Sequence, residues 1–203
     1  MTSRVQCVVF EVERKFAKLR VHPFTIDGGN PSFHSLTYLG RHSFRDIYYD
    51  KNDVLSSAGT WVRLRNGVWQ SKIRQAGDYN NSQFHESTDV VEIQRQVDSI
   101  IKQSAPASEN FGLPVTADLI THRETWKAND RFKIVLDRTD FGHTVGEVEL
   151  EESVPADVNT KLHGAKMDAD VVAFMKTYQW AFDTSPAVGK LTAYFDLKRR
   201  GTT

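Results

Sequence analysis

Residues 8–16 read VVFEVERKF, in which Glu11, Glu13 and Lys15 stand at every second position. In an extended strand all three leave one face, and Val8, Phe10, Val12 and Phe16 leave the other with Arg14 among them. A period of two is the mark of a half-buried strand, because successive side chains point to opposite sides of the pleat. Same-face Cα atoms lie about 6.6 Å apart, where two carboxylates repel by about 2.5 kcal/mol at an effective dielectric near 20. A strand built this way needs cations beside it.

The pattern returns near the other end in GEVELEE, where Glu147, Glu149 and Glu151 alternate with Val148 and Leu150. Between the two acidic strands lies a basic one, WVRLRNG. Its Trp61, Arg63 and Arg65 share a face, and Val62 and Leu64 take the other. Acids stacked on some strands and bases on others predict a site for a polyanion and its metal ions.

Further turns and periods supply the frame. Asn66-Gly67 between WVRLR and VWQSKIR is a strong hairpin signal, and Asn129-Asp130 joins ADLITHRETWKA to RFKIVLDRTD. SLTYLGRHSFRDIYYD reads as two β segments around Gly40, and 77–89 (GDYNNSQFHESTD) as a polar loop. Helical spacing of apolar residues predicts a short amphipathic helix over 91–103, ended by Pro106. A longer helix is expected from Pro155-Ala156-Asp157 to about Trp180, with Gly164 a candidate interruption. KLTAYFDLKRR is a terminal strand or a short helix. Many antiparallel strands with few helices and no strand-helix alternation give an α+β class: a closed antiparallel β-barrel with helices packed outside. Closure turns the charged faces inward around a cavity for one ligand.

At 203 residues the chain is long enough for one well-buried domain, 1–203. Lys plus Arg and Asp plus Glu number 26 each, so no overall field draws it to nucleic acid or an acidic membrane. Its single cysteine, Cys7, has no partner for an internal disulfide and no His in a recognised catalytic arrangement. No signal-peptide pattern precedes the first strand, and no apolar run reaches the roughly 20 residues of a membrane span, so a cytoplasmic protein is expected. The seven histidines show no metal-ligand spacing.

Taken alone, an ExExK strand is more often a solvated face, with Lys15 pairing a neighbouring acid. The succession EVERKF, FRDIYYD, WVRLR, a strand bearing Lys72, THRETW, LDRTDFG, GEVELE and GKL is far more specific. It resembles the CYTH superfamily, the triphosphate tunnel metalloenzymes, and within it the branch that acts on thiamine triphosphate. The resemblance spans nearly the whole chain, although 18–43 matches none of the motifs.

What the resemblance implies is a tunnel of antiparallel strands that binds a linear triphosphate with Mg²⁺. By motif position Lys15, Arg63, Arg65, Arg123 and Lys190 would bind phosphate, and Trp61 would receive the thiazolium ring. Glu11, Glu13, Asp137, Glu147 and Glu149 would be metal ligands; Asp140 stands three residues beyond Asp137, and strand parity distinguishes the two. Lys72 and Tyr48 would orient or deprotonate the attacking water, Lys72 with a pKa lowered by surrounding cations. Arg forks, Lys charges and a hard cation suffice for phosphoryl transfer, which needs no covalent nucleophile. The expected activity is Mg²⁺-dependent hydrolysis of thiamine triphosphate to thiamine diphosphate and phosphate by a monomer with no nucleic-acid or membrane partner. The alternatives are an inorganic triphosphatase or nucleotide-processing enzyme, and a non-catalytic polyphosphate-binding module.

Overall fold

The structure, a computed structural model, describes residues 7–77, 81–155 and 160–201. Its first strand, β1 (Cys7–Phe16), contains the ExExK stretch, and a two-residue β2 (Lys18–Leu19) follows. Then come β3 (Leu36–Tyr49), a single-turn α1 (Val54–Ser57), β4 (Thr60–Arg65), β5 (Val68–Gly77) and β6 (Asn81–Ser87). Helix α2 (Val90–Ile101) precedes β7 (Val115–Ala128), β8 (Phe132–Thr139) and β9 (Thr144–Pro155). The chain ends through α3 (Thr160–Thr177), β10 (Phe182–Asp183) and α4 (Lys190–Arg199).

Eight strands hydrogen-bond in the order β1-β6-β5-β4-β3-β7-β8-β9, all antiparallel, and β9 returns to β1 through a ladder from Cys7↔Pro155 to Phe16↔Gly146. The ladders therefore form a closed ring, and none of these strands lacks a neighbour on either side. Both predicted tight turns are present. Asn66 and Gly67 have φ of 47° and 83°, and Asn129 and Asp130 have 50° and 55°, the left-handed pair that a two-residue hairpin requires.

The apolar faces of the strands look outward onto two helices. Phe10, Val12 and Phe16 of β1 join Val148 and Leu150 of β9, and Met167, Val171 and Phe174 of α3 pack over them. Met175, Tyr178 and Phe182 belong to the same cluster. Arg14, the one charge on that face of β1, is matched by a two-pronged contact to Asp168 of α3 at 3.0 and 3.1 Å. Gly164 does not interrupt α3. An added Cβ there would lie 2.8 Å from the Phe10 ring, so the glycine lets helix and strand approach closely. On another side Ile93 and Val97 of α2 cover Val62, Tyr49 and the half-buried Leu64 and Trp69. Asp89 caps α2, its carboxylate accepting from the Val91 amide at 2.8 Å.

Several expectations need correction. The segment around Gly40 is one strand rather than two, with a register shift between Tyr38 and Gly40 absorbed by the glycine at φ 105°. The stretch read as a polar loop over 77–89 holds β6, which closes the ring between β1 and β5; residues 78–80 lie outside the described residues. Its alternation was invisible because Ser82 and Glu86 face a polar interior, leaving Phe84 as the only apolar residue of the strand. The start expected for α3 also falls partly outside the described residues, as does the side chain of Cys7. Finally, KLTAYFDLKRR takes the second of its two expected forms, a helix, but not all helices lie outside as expected. Tyr194 of α4 packs on Tyr48, Ala117 and Leu119, inward-facing residues of β3 and β7, so α4 caps the ring from within. Among the described residues no helix is long and apolar enough to cross a membrane.

Candidate functional site

The inward faces of the ring and the first turn of α4 enclose a cavity of about 250 Å³. Its acids come from three adjacent strands: Glu11 and Glu13 of β1, Glu147, Glu149 and Glu151 of β9, and Glu86 of β6. On the β1–β9 ladder Glu11 stands opposite Glu151, Glu13 opposite Glu149, and Lys15 opposite Glu147. Directly opposed like charges destabilise a sheet, so this acidic wall is held by cations from elsewhere. The cations that line the cavity come from β4 (Arg63, Arg65), β5 (Lys72, Arg74), β7 (Arg123), β8 (Lys133) and α4 (Lys190).

The pairing is specific. Lys72 Nζ lies 2.5 Å from Glu11 Oε2, 2.6 Å from Glu86 Oε1 and 3.5 Å from Glu13 Oε2. Lys15 contacts Glu13 closely and lies 3.6 Å from Glu147. The Arg123 guanidinium forks onto Asp137 at 2.6 and 2.8 Å, and the ammonium of Lys190 binds the same carboxylate. Lys133 bridges Glu149 and Glu151 at 2.5 and 2.7 Å. Arg65 forks onto the fully buried Asp46 at 2.7 and 2.8 Å. Arg63 donates to Gln70 at 2.9 Å and to the Tyr48 hydroxyl at 3.3 Å. The Phe44 ring supports this basic group, with Arg65, Arg123 and Lys190 at 4.0, 5.3 and 5.6 Å from its centroid.

Burial drives the Glu11 carboxyl well above the ordinary range despite Lys72 beside it, and Glu86, Glu149 and Glu13 push the same way. Burial raises Glu149 too, against the pull of Lys133 and Arg123. At Glu147 burial is outweighed by Lys15, Lys190 and Arg123, which hold its carboxyl well below the usual range. Glu86, where Lys72 overcomes burial, falls to about 2. The expected lowering at Lys72 is not found. Burial acts in that direction, but Glu11, Glu13 and Glu86 outweigh it and raise the amine well above its ordinary value. The neighbourhood of Lys72 is anionic because β6, read as a loop, brings Glu86 to it and the ring closes β5 onto β1.

All thirteen residues singled out from the sequence thus lie in or at this cavity. Twelve line it, and the buried Asp137 is joined to it through Arg123 and Lys190, whereas Asp140 is exposed on the β8–β9 turn. Trp61 stands beside Phe84, ring centroids 5.8 Å apart and edge to face, and the Arg74 guanidinium lies 4.9 Å from the indole centroid. Sequence reasoning missed Glu86 and Phe84 with β6. It also missed Asp46, which has the parity of Tyr48 within FRDIYYD, and Lys133, which has the parity of Asp137. Parity alone could have found the last two.

Glu11, Glu149 and Glu151 each offer a carboxylate oxygen, all within 4.8 Å of one another. Glu13 and Glu147 flank Lys15, and Asp137 is engaged by Arg123 and Lys190.

A human thiamine-triphosphatase is 29% identical over 173 residues, spanning 76% of this chain and 73% of that protein. The chain resembles the thiamine-triphosphatases. A thiamine-triphosphatase from Macaca fascicularis aligns at the same identity over 183 residues, 76% of this chain and 75% of its own length. No protein-family model matches the chain. Among solved structures, a Pyrococcus horikoshii protein superposes with a TM-score of 0.55 at 14% identity, covering 92% of this chain and 98% of its own. A putative adenylyl cyclase from Hippeastrum with dominant triphosphatase activity gives 0.50 at 16%, covering 98% and 97%. At such identities these two structures speak for the fold. The likeness to thiamine-triphosphatases rests on the sequence relatives.

Proposed function

We propose that this protein hydrolyses thiamine triphosphate to thiamine diphosphate and phosphate with Mg²⁺, the ring of strands serving as a tunnel for the triphosphate. The observation that carries the reading is the meeting of an acidic wall and a basic wall in one cavity, in a chain related to thiamine-triphosphatases along three quarters of its length.

The donor set fits a hard divalent cation. On the β1–β9 ladder Glu11 faces Glu151 and Glu13 faces Glu149, opposed like charges that a divalent cation between the two strands would relieve. Three convergent carboxylate oxygens suit Mg²⁺, which keeps several waters of its own. When bound, Mg²⁺ would neutralise phosphoryl oxygens.

Arg63, Arg65, Arg123 and Lys190 would receive the phosphate oxygens, exchanging part of their contact with Asp46 and Asp137 for the ligand. Those two buried aspartates hold the guanidinium forks in place beforehand, which lowers the ordering cost of binding. Lys72, kept as an ammonium by Glu11, Glu13 and Glu86, would donate rather than abstract a proton, and with Tyr48 it would orient the attacking water. Water attacks the terminal phosphorus in line, the bond to the bridging oxygen breaks, thiamine diphosphate carries that oxygen away, and the protons of the water stay on the oxygens of the released phosphate. The face of Trp61 would receive the thiazolium cation.

The test is a panel of thiamine triphosphate, tripolyphosphate and ATP, with Mg²⁺ and with a chelator. Thiamine triphosphate should turn over only with Mg²⁺, and Trp61→Ala should lower kcat/KM for it about three- to thirtyfold, more than for tripolyphosphate. Preference for tripolyphosphate that Trp61→Ala leaves untouched would instead establish a plain inorganic triphosphatase. Tight binding with no phosphate release would establish a binding module.

A further inference from the structure

Among the cations of the cavity, Arg74 is set apart by how it is held. Arg63, Arg65, Lys72, Arg123, Lys133 and Lys190 each lie within 4.0 Å of a buried carboxylate. Arg74 has no such carboxylate among the described residues. Its backbone is fixed, the amide donating to the Gly59 carbonyl at 2.8 Å, and its exposed side chain reaches the Trp61 indole, 4.9 Å from guanidinium carbon to ring centroid. The other side of this small cluster is filled by the edge contact between Trp61 and Phe84. A guanidinium over an indole uses the same electron-rich surface that any other organic cation would need. Held by that ring with no carboxylate partner among the described residues, the arginine is displaceable; left in place, it repels a second positive charge.

We infer that Arg74 is a specificity-determining residue: its guanidinium competes with the positively charged ring of the substrate for the face of Trp61, and so weakens the preference for thiamine triphosphate relative to triphosphates without a cationic group. The inference rests on the proposed reaction and concerns the organic end of its substrate. The competition is local. Arg74 leaves the phosphate-binding group of Arg65, Arg123 and Lys190 around Phe44 unaltered, so a substrate with phosphate alone should be nearly indifferent to it.

The experiment compares kcat/KM for thiamine triphosphate and for tripolyphosphate in the wild type, Arg74→Ala and Arg74→Gln, the last keeping a side chain of similar reach without charge. Both variants should raise the thiamine-to-inorganic ratio about three- to tenfold, and neither should raise it in a Trp61→Ala background. An unchanged ratio overturns the inference. So does a parallel loss for both substrates, which would make Arg74 a phosphate contact. Calorimetric titration with thiamine diphosphate reads the same competition without turnover: Arg74→Ala should lower Kd in the wild-type background and leave it unmoved in a Trp61→Ala background. If the wild type cleaves neither triphosphate, the proposed reaction fails, and this titration still decides the role of Arg74.

Discussion

Asp46 shows how much a single buried carboxylate can carry. It is fully buried, its side chain accepts two hydrogen bonds from Arg65, and Arg63 stands 3.8 Å away. Burial pushes its carboxyl upward, but the Arg65 fork and the charges of Arg63 and Arg65 win and lower it below the ordinary aspartate value. A depressed carboxylate stabilises the fold above its unfolded pKa of about 3.9, and that contribution is lost as pH falls through the lower folded value. Asp46→Asn should therefore cost about 3 kcal/mol at neutral pH, because two arginines lose a buried partner. Its unfolding free energy should also decline less steeply than the wild type's between pH 4 and pH 2. Urea titrations across that range check both, and parallel wild-type and variant curves would remove Asp46 from the account. This role was open to sequence reading, since Asp46 and Tyr48 share a strand face.

At the scale of elements, the β1–β9 ladder joins the two acidic strands and closes the ring. Phe16 lies opposite Gly146 on that ladder, and the ring atoms Cε2 and Cζ of Phe16 lie 2.0 Å from where a Cβ at Gly146 would be. Phe16 is fully buried against Phe182, ring centroids 5.1 Å apart, so it has little room to move aside. Gly146→Ala should destabilise by about 1–3 kcal/mol and lower Tm by about 3–10 °C. A wild-type melting curve would show that the ladder gives way more easily than its packing implies. The two hairpins were legible because Asn-Gly and Asn-Asp announce left-handed backbone locally. Strand β6 was not, since a strand with a polar face toward a polar cavity and little apolar signal on the other face looks like a loop. Helix α4 was ambiguous for a different reason: Leu191, Ala193, Phe195 and Leu197 alternate as in a short strand, while Leu191, Tyr194 and Phe195 recur at helix spacing, and only their partners on β3 and β7 decide between the two.

The whole molecule has 26 acidic and 26 basic groups, and the structure sorts an excess of each onto facing walls of one cavity. In this state the walls satisfy one another. A polyanion with a divalent cation could replace those contacts on both sides at once, whereas either alone would leave one wall short of partners. Tripolyphosphate and Mg²⁺ together should therefore raise Tm more than the sum of their separate effects, with about 2.7 kcal/mol of added stability at ligand a hundredfold above Kd. Thermal melts with each component and with both measure this. Additive shifts would mean that anion and cation bind independently, contrary to a shared site.

Periodicity is local, so the sequence by itself determined which side chains of β1, β4 and β9 share a face and which turns reverse the chain. Through the ordered motifs it also pointed to a resemblance to the triphosphate tunnel metalloenzymes. Only the tertiary structure decided which acid meets which base: Glu86 reaches Lys72, Lys190 reaches Asp137 from a helix, and Arg74 lies on Trp61. It also reversed the expected shift at Lys72. Those pairings depend on strand order and register around a closed ring, which bring together residues far apart in the chain. A pKa follows the charges that arrive within a few ångströms, and no spacing along one strand records them.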